Sequence, residues 1–529
     1  MSQECFTRSH VVHWLCGHMT AIALTVAMPQ LEVFASKDGD FSNIGVKECA
    51  ACHSSPSPIY EVLGVTRFVR LVEAKEWLTQ DKHAYAYELV RQNLSQEQLN
   101  NPARKSNRLS AEITGRLKWT ADDFERKCLT CHAGQGSKLS DPKLDVRFGV
   151  QCESCHGPGT EYTKVENHQQ TSWRARSPAQ KSKLGMWDLT SPSSSAAVCL
   201  SCHLGDIEQG RFITHEMYAA GHPILPPFEL QSFLEAMPPH WKTLQEKSSL
   251  AKNARYGSSG FDFQAEYTRA HYDIVGTNEA IQLAVQNSYH RTQRAMMGAL
   301  SATDQGITLI HQAAMDPSLW GDYSIYNCMG CHQDLKKNDT RFRLSSRIPG
   351  RPFPASWLTL DTPKIYSTYQ STFEPISRDL EATFNAVPFG DAKGLGRIRE
   401  SHLNALLNRF HHRQTMERKT MTESEAKQWL VQLLEAREPY LADFWVARQT
   451  GWMVCVAIDE LIEHGALAGE IAAPMQEELR VSLILDLKLP QRQGVVDRQP
   501  GILQTANAFD STRCEVLLKA LVHAATTNP

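Results

Sequence analysis

The feature that most constrains this chain is a five-fold recurrence of two cysteines, two residues apart, with a histidine directly after the second. The occurrences are Cys49-Ala-Ala-Cys52-His53, Cys128-Leu-Thr-Cys131-His132, Cys152-Glu-Ser-Cys155-His156, Cys199-Leu-Ser-Cys202-His203 and Cys328-Met-Gly-Cys331-His332. Each thiol can add to one vinyl group of a haem, and two intervening residues let the chain span both vinyl positions. The next residue then lies under the iron, where its imidazole serves as proximal ligand. A random chain of this composition would hold far fewer than ~0.1 such motifs. The spacing therefore predicts five covalently attached haem c groups, bound through these ten cysteines and five histidines.

Other chemistries of paired cysteines fit less well. Disulfides suit an oxidising compartment but do not demand histidine after every second cysteine. Thioredoxin-like pairs come singly on a βαβ unit, and no such pattern surrounds these. Zinc is the stronger rival, because twenty residues separate Cys128/Cys131 from Cys152/Cys155, within zinc-ribbon spacing. Five pairs cannot all be matched into four-cysteine sites, however, and zinc would not require the five histidines. Of the remaining cysteines, Cys5 and Cys16 lie near the N-terminus. Cys455 and Cys514 stand alone and read as buried free thiols.

The N-terminus has the pattern of an export signal. Arg8 opens a short positive region, and Val11 to Met28 is largely apolar, with His13 and His18 interrupting it. Val33-Phe34-Ala35 then supplies a small residue before a cut at Ser36. Residues 1–35 read as a secretory signal peptide, which places the mature chain in the periplasm or otherwise outside the cytoplasm. The alternative is an uncleaved anchor, but the apolar run is short and broken by polar residues. No other stretch approaches the ~18 apolar residues of a membrane span. A net charge of −3 points to neither nucleic acid nor an anionic membrane as partner.

At 529 residues the chain exceeds one compact core. Residues 36–245 hold four of the five motifs and few long amphipathic runs. Porphyrin must then supply much of the buried apolar surface, with short helices and loops wrapped on haem faces. Ser191-Pro192-Ser193-Ser194-Ser195 reads as a loop before the fourth motif. Residues 246–345 form a helical segment carrying the fifth haem. There Ile281, Val285, Tyr289, Met296 and Leu300 follow helical spacing, and a second helical pattern runs through Ile307, Ile310 and Ala314. Lys336 to Pro354 is basic and reads as a solvated linker, the sharper alternative being a docking patch for an acidic redox partner.

Residues 346–529 form a haem-free α-helical domain. Thr422-Glu423-Ser424-Glu425 is a capping box ahead of an apolar face, and another helix runs from Asp443 to His464 with Gly465 as terminator. The fold class is mainly α: a multihaem cytochrome c fold with little regular sheet, plus this haem-free C-terminal domain.

The sixth iron ligands must come from elsewhere. Outside the signal peptide and motifs thirteen histidines remain. His83 lies between the first two motifs, His168 a dozen residues after the third, and His215 and His222 after the fourth, with His240 beyond in a Met-Pro-Pro-His-Trp run. A helix would set His215 and His222 about 10.5 Å apart on nearly one face. Gly221 and Pro223, however, should end that helix before His222. His271, His290 and His311 lie on helical stretches and read as surface residues. His215-Glu216 begins like the zincin metal motif, which fails at Ala219. Methionine ligation would raise the potential, but the abundance of histidine favours bis-histidine irons at low potential. The fifth motif has no obvious sixth ligand, so that if any iron is open to substrate or partner, this one has the best claim.

Several of these stretches resemble multihaem cytochromes of the cytochrome c-554 type. They are Phe148-Gly-Val-Gln-Cys-Glu-Ser-Cys-His-Gly-Pro with His168 and Trp173, then Cys199-Leu-Ser-Cys-His-Leu-Gly-Asp206, His215-Glu-Met-Tyr-Ala-Ala-Gly-His-Pro223, and Asn327-Cys-Met-Gly-Cys-His-Gln-Asp-Leu335. The likeness covers roughly Val46 to Leu335. It implies a mainly helical fold built round closely stacked haem pairs, mostly bis-histidine irons, and a periplasmic electron carrier. By the same resemblance His83, His168, His215 and His222 become the preferred distal ligands. The chain differs from the tetrahaem pattern in its fifth motif, its long C-terminal region and the wide gap between its first two motifs.

Together these readings favour transfer of electrons between redox partner proteins over catalysis. Ten candidate histidine ligands would saturate five irons. No Cys-x-x-Cys-Lys variant is present to supply a lysine-ligated catalytic haem. The alternative is an oxidoreductase acting on a small nitrogen or sulfur compound at one open iron. A third role, docking another subunit, would fall to the C-terminal helices.

Overall fold

Cysteine, the cysteine three residues on and the histidine after it share one face of a helical turn. The chain uses this at each of the first four motifs. In the computed structural model, which describes residues 41–55, 69–91, 105–134, 143–242 (less 171, 174 and 175), 287–332 (less 329 and 330), parts of 378–394, 419–485 (less 439 and 440), 487, 506 and 508–527, every one of those four histidines is the last residue of a helix. Residues 1–35, read above as a signal peptide, lie outside the described residues, as do His271 and the basic run from Lys336 to Pro354.

The N-terminal region is a set of short helices. These are α1 (Val46–His53), α2 (Glu73–Gln80), two 3-10 turns through Tyr85 and Leu89, and α3 (Lys105–Arg116). A helical run from Ala121 to His132 then carries the second motif and contains a π-turn at Glu125–Leu129. After it come α4 (Cys152–His156), α5 (Pro192–His203), α6 (His215–Ala220) and α7 (Leu230–Ala236). Among the described residues there is no strand, only one antiparallel bridge between Asp206 and Arg211. The fold is mainly α.

Ser191 to Ser195 is not a loop. Ser191 caps α5 by accepting from the Ser194 amide, and Pro192 occupies the first helical position, where its missing N–H is harmless. The serine-proline pair marks a helix start, and the fourth motif ends the same helix.

The C-terminal region consists of long helices: α8 (His290–Met315), α9 (Glu423–Arg437), α10 (Phe444–Glu463), α11 (Gly469–Leu483) and α12 (Ser511–Thr527). The two helical patterns read on either side of Leu300 are one helix. No glycine or proline signal stops α8, and Gly298 and Gly306 are absorbed within it. Tyr289 lies just outside its start, and Ile281 and Val285 fall outside the described residues. The capping box of α9 forms as expected, with Thr422 accepting from Glu425 N and Glu425 accepting from Thr422 N. Asp443 caps α10, and Gly465 follows its end with φ 72°.

One side-chain core joins α8 to α12, with Trp429, Leu433, Phe444, Trp452, Leu479 and Leu518 all buried in it. Cys455 and Cys514 are buried free thiols in the same core. Among the described residues the motif-bearing region has no equivalent. Its buried apolar residues form small groups such as Val46, Trp77 and Ala84, or Val90, Leu129 and Ala133. α5 and α7 pack on α8 and tie the two regions together.

Candidate haem centres

Four of the five motif histidines have a second histidine ring close by. The ring centroids of His53 and His168 are 6.1 Å apart, those of His203 and His83 6.1 Å, those of His156 and His240 6.4 Å, and those of His332 and His215 6.3 Å. His222 stands close enough to His132 for the charge of one to act on the other. Two imidazoles on opposite sides of one metal, each bonded at about 2 Å and with the nitrogen about 1.1 Å from the ring centre, have centroids ~6.3 Å apart. The spacing of these four histidine pairs therefore fits an iron between them.

The second ring nitrogen supports the same reading. His53 Nδ1 bonds Glu73 Oε2 at 2.9 Å, and His83 Nδ1 bonds Asp81 Oδ1 at 2.9 Å. His132 Nδ1 bonds the Ala86 carbonyl at 3.0 Å, and His222 Nδ1 the Pro223 carbonyl at 2.8 Å. A proton held at Nδ1 by an acceptor leaves the Nε2 lone pair for a metal. Burial pushes His156, His203 and His222 down to about 4, and also lowers His132, so these rings are neutral as ligation requires.

The local structure explains the positions. Asp81 ends α2 and turns the chain so that its carboxylate accepts both from the His83 amide and from the ring. Gly149 has φ +62°, and a Cβ there would run into the His83 carbonyl, so only glycine lets the third motif's approach lie against His83. Gly221 ends α6 with φ 119°, which separates His215 on the helix from His222 beyond it. The two face different motif histidines.

The expectation that the fifth motif lacks a partner is corrected here. His215, at the first position of α6, has its ring centroid 6.3 Å from that of His332, with the ring planes 30° apart. Asp322, in the loop before the fifth motif, accepts from the His215 amide at 2.9 Å and so holds the two elements together. The link spans more than a hundred residues, which is why proximity in the sequence did not reveal it.

The motifs also meet one another. The thiol of Cys49 hydrogen-bonds that of Cys152, raising the first and lowering the second, and Cys131 does the same to Cys202, which falls to about 6. Cys155 lies near Cys199 and Cys202. The zinc-ribbon pairing of Cys128/Cys131 with Cys152/Cys155 is replaced by these contacts: motif one adjoins motif three, and motif two adjoins motif four. Glu73, Asp81, Glu153 and Arg211 are residues that spacing alone missed, since each acts across the fold and none belongs to a recurring pattern.

Residues 48–157, which hold the first three motifs from Glu48 onward, match the family model described as cytochrome c554 and c-prime. The match supports reading this stretch as that of a c-type cytochrome, a class that binds haem c covalently and works in electron transfer. The chain resembles the cytochrome c-554 family in particular. No curated protein and no solved structure matches the chain.

Proposed function

We propose that the protein is an exported five-haem cytochrome that carries electrons between redox partner proteins. The observation that carries this reading is the pairing of all five motif histidines with a second histidine, four of them at 6.1–6.4 Å. The axial pairs are then His53 with His168, His132 with His222, His156 with His240, His203 with His83, and His332 with His215. The thioether cysteines are Cys49, Cys52, Cys128, Cys131, Cys152, Cys155, Cys199, Cys202, Cys328 and Cys331. Bound haem supplies the one-electron ferric/ferrous couple.

The protein's own part is to fix both ligands of each iron and bring the centres together. Contacts between motifs one and three, three and four, and four and two, with His222 and His215 flanking α6, give a continuous order of centres: first, third, fourth, second, fifth. With both axial positions filled by protein, no iron is left for a small nitrogen or sulfur compound. Among the described residues no helix is long and apolar enough to cross a membrane, and export rests on the N-terminal signal.

The test is the intact mass of protein matured with haem, combined with a haem-stained gel and electron paramagnetic resonance of the ferric form. Five haems and an entirely low-spin spectrum are expected. A substantial high-spin signal that shifts on adding cyanide or nitrite would sink the carrier reading and favour the oxidoreductase.

A further inference from the structure

The five centres sit among unequal buried charges. At the first, Glu73 accepts from His53 Nδ1 at 2.9 Å, and the buried Glu153 acts on Cys49. Glu153 belongs to the third motif and is held by the amides of Ile44, Gly45 and Gly159 at 2.7–3.1 Å. The fourth has the buried Asp81 on His83. At the fifth, the buried Asp443 acts on Cys328.

The second centre differs. Both of its histidines bond neutral backbone carbonyls, of Ala86 and Pro223. Beside it lies Arg211, 8% exposed, donating to Thr130 O at 3.0 Å inside the second motif and to Ser201 Oγ at 2.7 Å inside the fourth. Its third bond, at 3.5 Å, goes to the Gly134 carbonyl. Among the described residues no carboxylate pairs with this guanidinium, and its charge acts on Cys131, Cys202 and Cys155.

A buried charge is weakly screened, and gaining an electron makes an iron centre one unit more negative. A cation close by therefore raises the midpoint potential, while a carboxylate lowers it. A carboxylate on the ligand's Nδ1 lowers it further by making the imidazole a stronger donor. Leaving exposed charges aside, the fourth centre has one charge of each sign, the third has Glu153 with Arg211 farther off, the first has two carboxylates, and the second has Arg211 alone.

Resting on the five-haem reading above, we propose that the second centre is the electron sink of the protein, with Arg211 holding its potential highest and Glu73 and Glu153 holding that of the first centre lowest. The first electron taken up then resides at the second centre, one step from the fifth. Arg211 is a positioning and tuning residue, because it touches the attachment motifs rather than the iron.

The experiment is an electrode-driven redox titration of haem-loaded protein, followed by absorbance and paramagnetic resonance, after the mass has established the haem count. Arg211→Met is expected to lower the highest midpoint by about tenfold in electron affinity, ~59 mV for one electron. Arg211→Lys is expected to retain it, and Glu73→Gln to raise the lowest midpoint while leaving the highest in place. An unmoved highest midpoint in Arg211→Met, or an equal fall in Arg211→Lys, would overturn the proposal. Should Arg211→Met fail to retain its haems, Glu73→Gln decides: an unmoved lowest midpoint refutes the polarity. A wild-type mass short of five haems would instead refute the reading on which this proposal rests.

Discussion

Imidazole binds a metal through the nitrogen that has no proton, so the groups around Nδ1 decide whether a histidine is prepared for ligation. At His53, His83, His132 and His222 that preparation is visible in a single acceptor. His215 is held differently, through its backbone amide on Asp322 and its ring edge against Tyr323 at 5.4 Å. Replacing it with alanine removes the ring that faces His332 and leaves the fifth iron with one protein ligand. We expect His215→Ala to convert roughly one fifth of the haem to a high-spin ferric species that binds cyanide, with the rest low-spin. Paramagnetic resonance with and without cyanide checks this, and an unchanged spectrum would exclude His215 as a ligand. The motif histidines were legible because covalent chemistry fixes their spacing. Their partners were legible only as a pool of candidates. His83 is nearer in sequence to His53 than to His203, yet it faces His203, because Asp81 turns the chain and Gly149 lets the third motif come against it.

Helix ends were read well where a side chain must satisfy exposed amides, as at Thr422 and Asp443, because that requirement is local. The same signal at Ser191 was misread through its neighbouring serines, which are also turn formers; Ser193 and Ser195 are buried within the helix that Ser191 caps. Helix crossings were not legible, since they depend on which small residue meets which neighbour. Gly298 of α8 is such a residue: a Cβ there would lie 2.6 Å from Leu230 Cβ on α7. α7 also carries Phe233, whose ring meets that of His203 at 5.1 Å. Gly298→Val should push α7 away and cost about 1–3 kcal/mol. Denaturant unfolding reads the cost, and the absorbance of the fourth centre should shift with it. A stability within ~0.5 kcal/mol of wild type would show that α7 and α8 do not meet closely.

On the scale of the whole molecule, two ways of filling a protein interior stand side by side. Helices α8 to α12 bury tryptophan, leucine and phenylalanine against one another and need no cofactor for their core. Among the described residues, the region from Val46 to Met237 has only small apolar groups, and four of its motif histidines end short helices. Isolated helices of its length, such as the eight residues of α1, are not stable in water without packing partners. Haem must supply that packing. Expressed in a host without haem attachment, the chain should therefore keep the α8 to α12 core while the motif-bearing region stays unfolded. Limited proteolysis read by mass spectrometry should yield a resistant fragment beginning near His290, and circular dichroism should retain the signal of the long helices. Protection of residues 41–242 without haem would contradict this and require a side-chain core that the described residues do not provide. The division was legible in outline, from where the motifs stop and helical periodicity begins. The part played by α8 was not, because its sequence position beside the fifth motif conceals that Met296, Met297 and Leu300 belong to the haem-free core. That shared helix gives haem loading in the first region a rigid surface to assemble on, since α5, which ends in His203, packs along it.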